Sequence, residues 1–517
     1  MGTINPVETM RKVRDAYLRY LRTVAPFQNK ALQDAFQSEI DKRDVLVKGP
    51  LLEASPPFAL GRSIEQLVND TILHPRFQKL CSQALPYNRP LYLHQDRAIT
   101  HLIQGKRNMI VATGTGSGKT ESFLLPILNH LLQEQGDGTL NAPGVRALLL
   151  YPMNALANDQ LRRLRRVLEE YPTITFGRYT GETEESDSDA EDRFHEQFPY
   201  EPRLPNELLS RSKMRAEPPH ILLTNYAMLE YLLLRPEDCE FFDGIKGEHW
   251  RYIVLDEAHI YDGASGIELA MLLRRLKDRI MKSEPGRLRC IATSATLGRG
   301  RHDFPVAVEF ASNLFGEKFE WNEHDEQYQD VIDATRQPPA ALGVTWGEGS
   351  VQLYTTLQEL SNRAQNAENI DDVIHPVKAT LDSLLPISVL DQAYTSAKKV
   401  WRTRDAMEPA HKGMAAALDA FLYAILCGDL RVHHLHKYLI KEPAFIEDVA
   451  QKVFPGDPSA TLNLVTMVDL AVRAHPQTES LALLPARYHA FARALEGVFA
   501  CLNTDAHADR LPRLFLN

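Results

Sequence analysis

The stretch NMIVATGTGSGKTESFLLPIL, Asn108 to Leu128, decides the fold. Its first part, NMIVA, is a short apolar run that reads as a buried strand. Its last part, TESFLLPIL, opens a helix. Between them TGTGSGKT turns the chain sharply, and its glycines Gly114, Gly116 and Gly118 let backbone N–H groups approach a phosphate closely. Lys119 supplies a cation for the β and γ phosphates, and the Thr120 hydroxyl is a ligand for Mg²⁺. Thr113 stands where the strict phosphate-loop pattern has glycine. The strand before the loop and the helix after it supply the expected context, because a helix N-terminus favours bound phosphate. Thr113, Gly114, Thr115, Gly116, Ser117, Gly118, Lys119 and Thr120 are therefore the expected nucleotide-binding residues.

Working outward, short apolar runs alternate with helical stretches up to about residue 300: RALLLYP, ITFGRYTG, HILLTN, YIVLDE and LRCIATSAT. Buried strands separated by helices predict an α/β fold, a parallel sheet covered on both faces. Each run ends in small, polar or acidic residues, which puts chemistry at the carboxyl ends of the strands. YIVLDEAHIYDG ends its strand on Asp256 and Glu257. Asp256 suits Mg²⁺ coordination, and Glu257 suits general-base activation of water.

Taken in order, TGTGSGKT, then DEAH at Asp256–His259, then SAT at Ser294–Thr296 resemble motifs I, II and III of superfamily 2 DEAD/DEAH-box helicases. The resemblance is to their first motor domain, a RecA-like P-loop sheet, with Lys119, Asp256 and Glu257 as the catalytic residues. It implies ATP and Mg²⁺ as cofactors, Gln95 in LYLHQDRAI reading the adenine edge with Tyr92 beside the base, and Ser294 and Thr296 linking hydrolysis to a nucleic-acid track. The same resemblance assigns track contacts to Pro152, Asn154 and Gln160 in YPMNALANDQ, Thr180 and Gly181 in YTGE, and Thr224 and Asn225 in LTNYAML, with His259 in the coupling. Such contacts hold the backbone and do not read sequence. YPMNALANDQLRRLRR, ILLTNYAMLEYLLLR and LLPARYHAFARALEGVFACL are similar to the large prokaryotic helicases of the MrfA/YprA type, including anti-phage helicases of the Druantia and DISARM type. That similarity implies DNA as the track, single-stranded or with a single-stranded tail, and a role in defence or repair, with defence-system subunits as partners.

Composition agrees with a soluble, cytoplasmic protein. The 517 residues carry 58 basic and 68 acidic side chains, a formal net charge of −10. A diffuse basic surface is excluded as the means of holding nucleic acid. No run approaches the ~18 apolar residues of a membrane span. Cys81, Cys239, Cys290, Cys427 and Cys501 lie far apart, which argues against a disulfide framework or a zinc site. His433, His434 and His436 lack further ligands and are not read as a metal site.

The expected domains are an N-terminal helical element over 1–89, with helix from 4 to about 45, the motor domain over 90–315, and a helical region over 316–517. GPLLEASPPFALG reads as a Pro-punctuated connector. Residues 430–475 have a winged-helix-like rhythm. Arg487, Tyr488, His489 and Arg493 read as part of a helix packed through Leu495, Val498 and Phe499. The acidic, Pro-containing insertion 182–219 reads as a solvated, partly disordered loop without function, and Arg162, Arg163, Arg165 and Arg166 as a solvated helical face. A second RecA-like domain, whose arginines would complete hydrolysis, is expected beyond residue 517 or on another chain. The function expected is the ATP-binding half of a DNA helicase or translocase. The alternative is an ATP-binding switch or scaffold that turns over only when completed.

Overall fold

The computed structural model describes residues 5–24, 27–42, 46–114, 116–282, 284, 286–295, 300–338, 340, 342–363, 369–403, 410–439, 443–477, 480–493, 498–501 and 513–516. The chain forms two compact units: Phe58–Arg336, and Met1–Pro57 together with Gln337–Asn517.

Eight strands make the sheet of the first unit: β1 (Met109–Ala112), β2 (Ala147–Tyr151), β3 (Phe176–Arg178), β4 (Glu207–Leu208), β5 (Ile221–Asn225), β6 (Tyr252–Leu255), β7 (Arg289–Ser294) and β8 (Val331–Asp333). Their order is β8-β1-β7-β6-β2-β5-β3-β4, and every pairing is parallel. Parallel strands need crossovers, supplied here mainly by helices. Those that position the site are α1 (Leu93–Ile103), α2 (Lys119–Asp137) and α3 (Asn154–Leu168). Alternate strand residues enter different cores. Ala147, Leu149 and Tyr151 face one cluster with Phe123 and Ala157, while Leu148 and Leu150 face another with Leu269 and Leu273. This is a RecA-like parallel sheet with flanking helices: the apolar runs predict the parallel sheet, and the helicase resemblance implies its RecA-like kind.

Just before β5, His220 is 6% exposed. Its Nδ1 accepts from the Thr175 amide at 3.0 Å, and its Nε2 lies 3.0 Å from the Leu140 carbonyl, which fits only the neutral ring. Burial, with the charge of Arg146 nearby, pushes its pKa down to about 4. The unfolded chain takes up a proton near pH 6.5 that the folded chain refuses, so stability falls as pH drops from about 6.5 to about 4. On the order of 3 kcal/mol is lost across that window from this group. Denaturant midpoints measured against pH check it: a His220→Asn variant should show a flatter acid limb, and an unchanged limb would remove His220 as the cause.

The insertion departs from expectation. It forms α4 (Asp187–Gln197), capped by Ser186 accepting from the Asp189 amide, then β4, then helix Arg211–Ala216 capped by Ser210. Phe194 is buried, and Arg165 bonds Glu207 through two contacts of 2.8 Å. Arg165 is therefore not on a solvated face. Acidic composition hid an ordered element because several of its carboxylates meet arginines, Glu184 and Glu185 pairing with Arg193 and Arg215 of the insertion and Glu182, Glu201 and Glu207 with Arg178 and Arg165 from outside it.

In the second unit the helix expected over 4–45 is two helices, Pro6–Val24 and Lys30–Ile40, and Asn29 caps the second by accepting from the Ala31 and Leu32 amides. Helices follow from Val351 through Arg473, sharing a core that includes Leu353, Phe421, Leu464 and Met467. Two expectations are corrected here. Strand Val47–Ala54 runs into the supposed connector from before its start at Gly49, and the supposed final helix contains strand Ala486–Ala492. They pair antiparallel, Val47 opposite Ala492 and Ala54 opposite Ala486, while Ala444–Phe445 pairs on the other edge of Val47–Ala54. The register shifts between Lys48 and Leu51, where Pro50 has no N–H to donate to the ladder. Val498–Cys501 also pairs as a strand, with Arg513–Leu516. Leu495 lies outside the described residues.

Candidate nucleotide site and its neighbouring loops

The phosphate loop follows β1. The Thr113 amide donates to the Ser294 carbonyl at 3.1 Å, and its hydroxyl pairs with that of Ser117 at 2.6 Å. Gly116 and Gly118 have φ of 74° and 70°, a region costly to residues with a Cβ. A side chain at Gly114 or Gly116 would point into open space, whereas one at Gly118 would strike the Gln95 amide. The loop is thus an open cradle on one side and clamped on the other. Gln95 makes the clamp, donating to the Gly118 carbonyl at 2.9 Å while accepting from the Tyr92 amide at 2.8 Å. His94 adds a contact of 2.9 Å to the Ser117 carbonyl. Tyr92 stacks on His94 with ring centres 5.6 Å apart. Gly118 makes no side-chain cap on α2, so the first amides of that helix are available to phosphate. Thr115 lies outside the described residues.

Asp256 and Glu257 follow β6 and stand opposite the loop. Lys119 Nζ lies 2.8 Å from Glu257 Oε1. Glu257 has φ of 50°, a left-handed conformation that aims its side chain toward the loop at a cost of about 1 kcal/mol. Thr293, in β7, organises both acids: its hydroxyl donates to Asp256 and accepts from the Glu257 amide at 3.3 Å. Burial pushes the Asp256 carboxyl above its usual range, with the charge of Glu257 adding to it and the Thr293 hydroxyl opposing it. A divalent cation would restore its ionised form. Among the described residues no group of three or more His, Cys, Asp or Glu could hold a metal. A cation here would take Thr120 and Asp256 from the protein and its other ligands from phosphate and water, a donor set that suits Mg²⁺.

His259 Nδ1 lies 3.1 Å from the Ser294 hydroxyl and 3.4 Å from Glu257 Oε2, joining the second and third motifs. Thr296 lies outside the described residues. Gln160, on α3, donates to the Thr120 hydroxyl at 3.3 Å, and Arg163 pairs with Glu121, so α3 is tied to the start of α2.

The loops after β2, β3 and β5 bring other expected residues together. Asn154 opens α3, accepts from Asn225 at 2.8 Å and donates to Glu182 at 3.1 Å. Pro152 is half-buried just before it. Gly181 is exposed, but Thr180 and Thr224 are fully buried. The Thr224 hydroxyl donates to the Tyr179 carbonyl at 2.6 Å, so these threonines shape the loops. Thr293, Arg178 and Glu182 were not singled out in the sequence. Thr293 alone left a trace, as a polar residue inside the apolar run CIATSAT.

Residues 92–304 match the family model described as DEAD/DEAH box helicase. The chain is 26% identical to Druantia protein DruE of Escherichia coli (strain UMEA 4076-1), over 97% of this chain and 30% of that protein. It is 32% identical to the uncharacterized ATP-dependent helicase YprA of Bacillus subtilis (strain 168), over 40% of this chain and 23% of that protein. The segment is a superfamily 2 helicase motor domain. Its relation to these helicases is at low identity and over part of each chain, and this chain spans less than a third of their length. Among solved structures, DUF1998 helicase MrfA bound to DNA matches with a TM-score of 0.38 and 22% identity, over 66% of this chain and 37% of that one. No helix among the described residues is long and apolar enough to cross a membrane.

Proposed function

We propose that this chain is the ATP-binding half of a DNA helicase or translocase, working in genome defence or repair. The observation that carries it is the convergence of Lys119, Glu257, Asp256 and Thr293 at the carboxyl ends of β1, β6 and β7. The open loop and the first amides of α2 bind the triphosphate, and Lys119 leaves Glu257 to meet it. Thr120 and Asp256 would hold Mg²⁺, which would supply neutralisation of phosphate charge. Glu257, freed from Lys119, orients the attacking water and accepts its proton. The contacts of His259 with Ser294 and Glu257, and of α3 with Thr120, relay the state of the site to the loops around Asn154, Gly181 and Asn225. A second RecA-like domain, in cis or on another chain, supplies the arginines that stabilise the transition state. The DNA and defence assignments rest on the sequence resemblance and on DruE being named a Druantia protein.

The Lys119–Glu257 pair favours one further reading, an ATP-responsive switch, because the two groups needed for turnover neutralise each other in the structure. ATP turnover measured with and without single-stranded DNA, on this chain and on one joined to a second motor domain, separates them. DNA-stimulated turnover that is lost in Lys119→Ala supports the motor. Nucleotide binding by this chain without turnover, with turnover in the completed form that single-stranded DNA does not stimulate, supports the switch.

A further inference from the structure

A cavity of about 330 Å³ opens between α3 and the insertion, lined by Arg162, Arg165, Arg178 and Arg193. Arg165 forms its floor, fixed by Glu207 and flanked by the rings of Phe198 and Phe194 at 4.3 and 4.9 Å. Arg193 and Arg162 are more exposed. Arg193 pairs with Glu184 at 2.5 Å, both more than a third exposed, and Arg162 lies 5.6 Å from the Phe198 ring with its side chain 55% exposed. Arg178 differs: its side chain is 15% exposed and its pair with Glu182 measures 3.0 Å. Burial pulls the Arg178 pKa down, Glu182 opposes the shift and Arg193 and Arg165 add to it, and the guanidinium also donates to the Asn158 side chain.

Glu182 is the telling residue. One of its oxygens accepts from Arg178 and the other from Asn154 at 3.1 Å, while its side chain remains 41% exposed. An exposed carboxylate is thus bridging two donors at the end of α3 where the proposed track passes. Carboxylate and phosphodiester oxygens make the same bidentate contacts, and exposed ion pairs contribute little and exchange readily. Four arginines line the cavity with Glu182, Glu184 and Glu207, while Arg165 also pairs with Glu201 at 3.2 Å and Arg162 lies 3.7 Å from Asp159, so each arginine is held by a carboxylate that a phosphate oxygen could replace.

We infer that this cleft is a phosphodiester subsite for the nucleic-acid strand, in which Glu182 holds the anion position until a phosphate displaces it. The strand then contacts Asn154, Arg178 and Arg193, and the insertion is part of the track. This rests on the strand-binding part of the proposed function.

The test is binding of a labelled single-stranded oligonucleotide to the full chain across a salt series, for the parent, Arg193→Gln, Arg162→Gln/Arg193→Gln and Glu182→Gln. Arg193→Gln should weaken binding about three- to tenfold, and each lost phosphate contact should reduce the magnitude of the salt slope by roughly 0.7. Glu182→Gln should tighten binding by a similar factor. Thermal midpoints equal to the parent's confirm that the replaced side chains are not holding the fold. The inference is overturned if the parent binds and the arginine variants match it within twofold, or if Glu182→Gln weakens binding. Inorganic phosphate that raises the parent's thermal midpoint as much as the oligonucleotide does, with the rise lost in Arg162→Gln/Arg193→Gln, assigns the cleft to a free anion and also overturns it. A parent that binds no strand removes both this inference and the reading beneath it, whereas strand binding with unaffected variants removes the inference alone.

Discussion

Glu257→Gln is expected to lower nucleic-acid-stimulated ATP turnover about 10²- to 10⁴-fold, the range associated with a positioned general base. It should also leave ATP·Mg²⁺ binding intact or tighter. The structure gives the reason for the second part: Lys119 is held 2.8 Å from Glu257, so nucleotide must break that pair before the lysine can serve it. Glutamine keeps the shape, gives up the ionic attraction and removes a negative charge facing the triphosphate. Turnover from a coupled assay and affinity from a fluorescent nucleotide separate the two effects. Equal loss of both would mean that Glu257 holds the loop and takes no part in the chemistry.

Glu207→Ala is expected to destabilise the Phe58–Arg336 unit by about 3–5 kcal/mol, the range for removing one partner of a buried ion pair. Glu207 and Arg165 have side chains 1% and 8% exposed, joined by two contacts of 2.8 Å. Without the glutamate, Arg165 keeps only Glu201, at 3.2 Å and 47% exposed. Its charge stays buried. Replacing both partners together, Arg165→Met with Glu207→Leu, should recover most of the loss, since an apolar pair leaves no orphan charge. Urea unfolding of the single and double variants is the measurement. A single variant that loses less than ~1 kcal/mol would show that Arg165 swings out to water.

These two predictions draw on different kinds of information. Glu257 was legible because its signal is local: an apolar strand ends, two acids follow, and a phosphate loop lies upstream in the expected strand–loop–helix setting. The Arg165–Glu207 pair was not legible. Its members are 42 positions apart, and acidic composition around Glu207 points toward solvent unless the arginines that meet it are already in place. Thr293 falls between these cases, visible as a polar residue in a strand but mute about its two acidic neighbours until β7 and β6 lie side by side.

The same division runs through the whole chain. By itself the sequence determined the parallel α/β sheet, the phosphate loop and the pair Asp256–Glu257, because glycine conformations, buried apolar runs and helix starts are written in a few adjacent residues. Tertiary structure alone decided that Val47–Ala54 pairs with Ala486–Ala492, that the insertion folds against α3, and that Glu182 bridges Asn154 and Arg178. Strand pairing and charge pairing depend on which distant segments meet, and that information exists only once the backbone has brought them together.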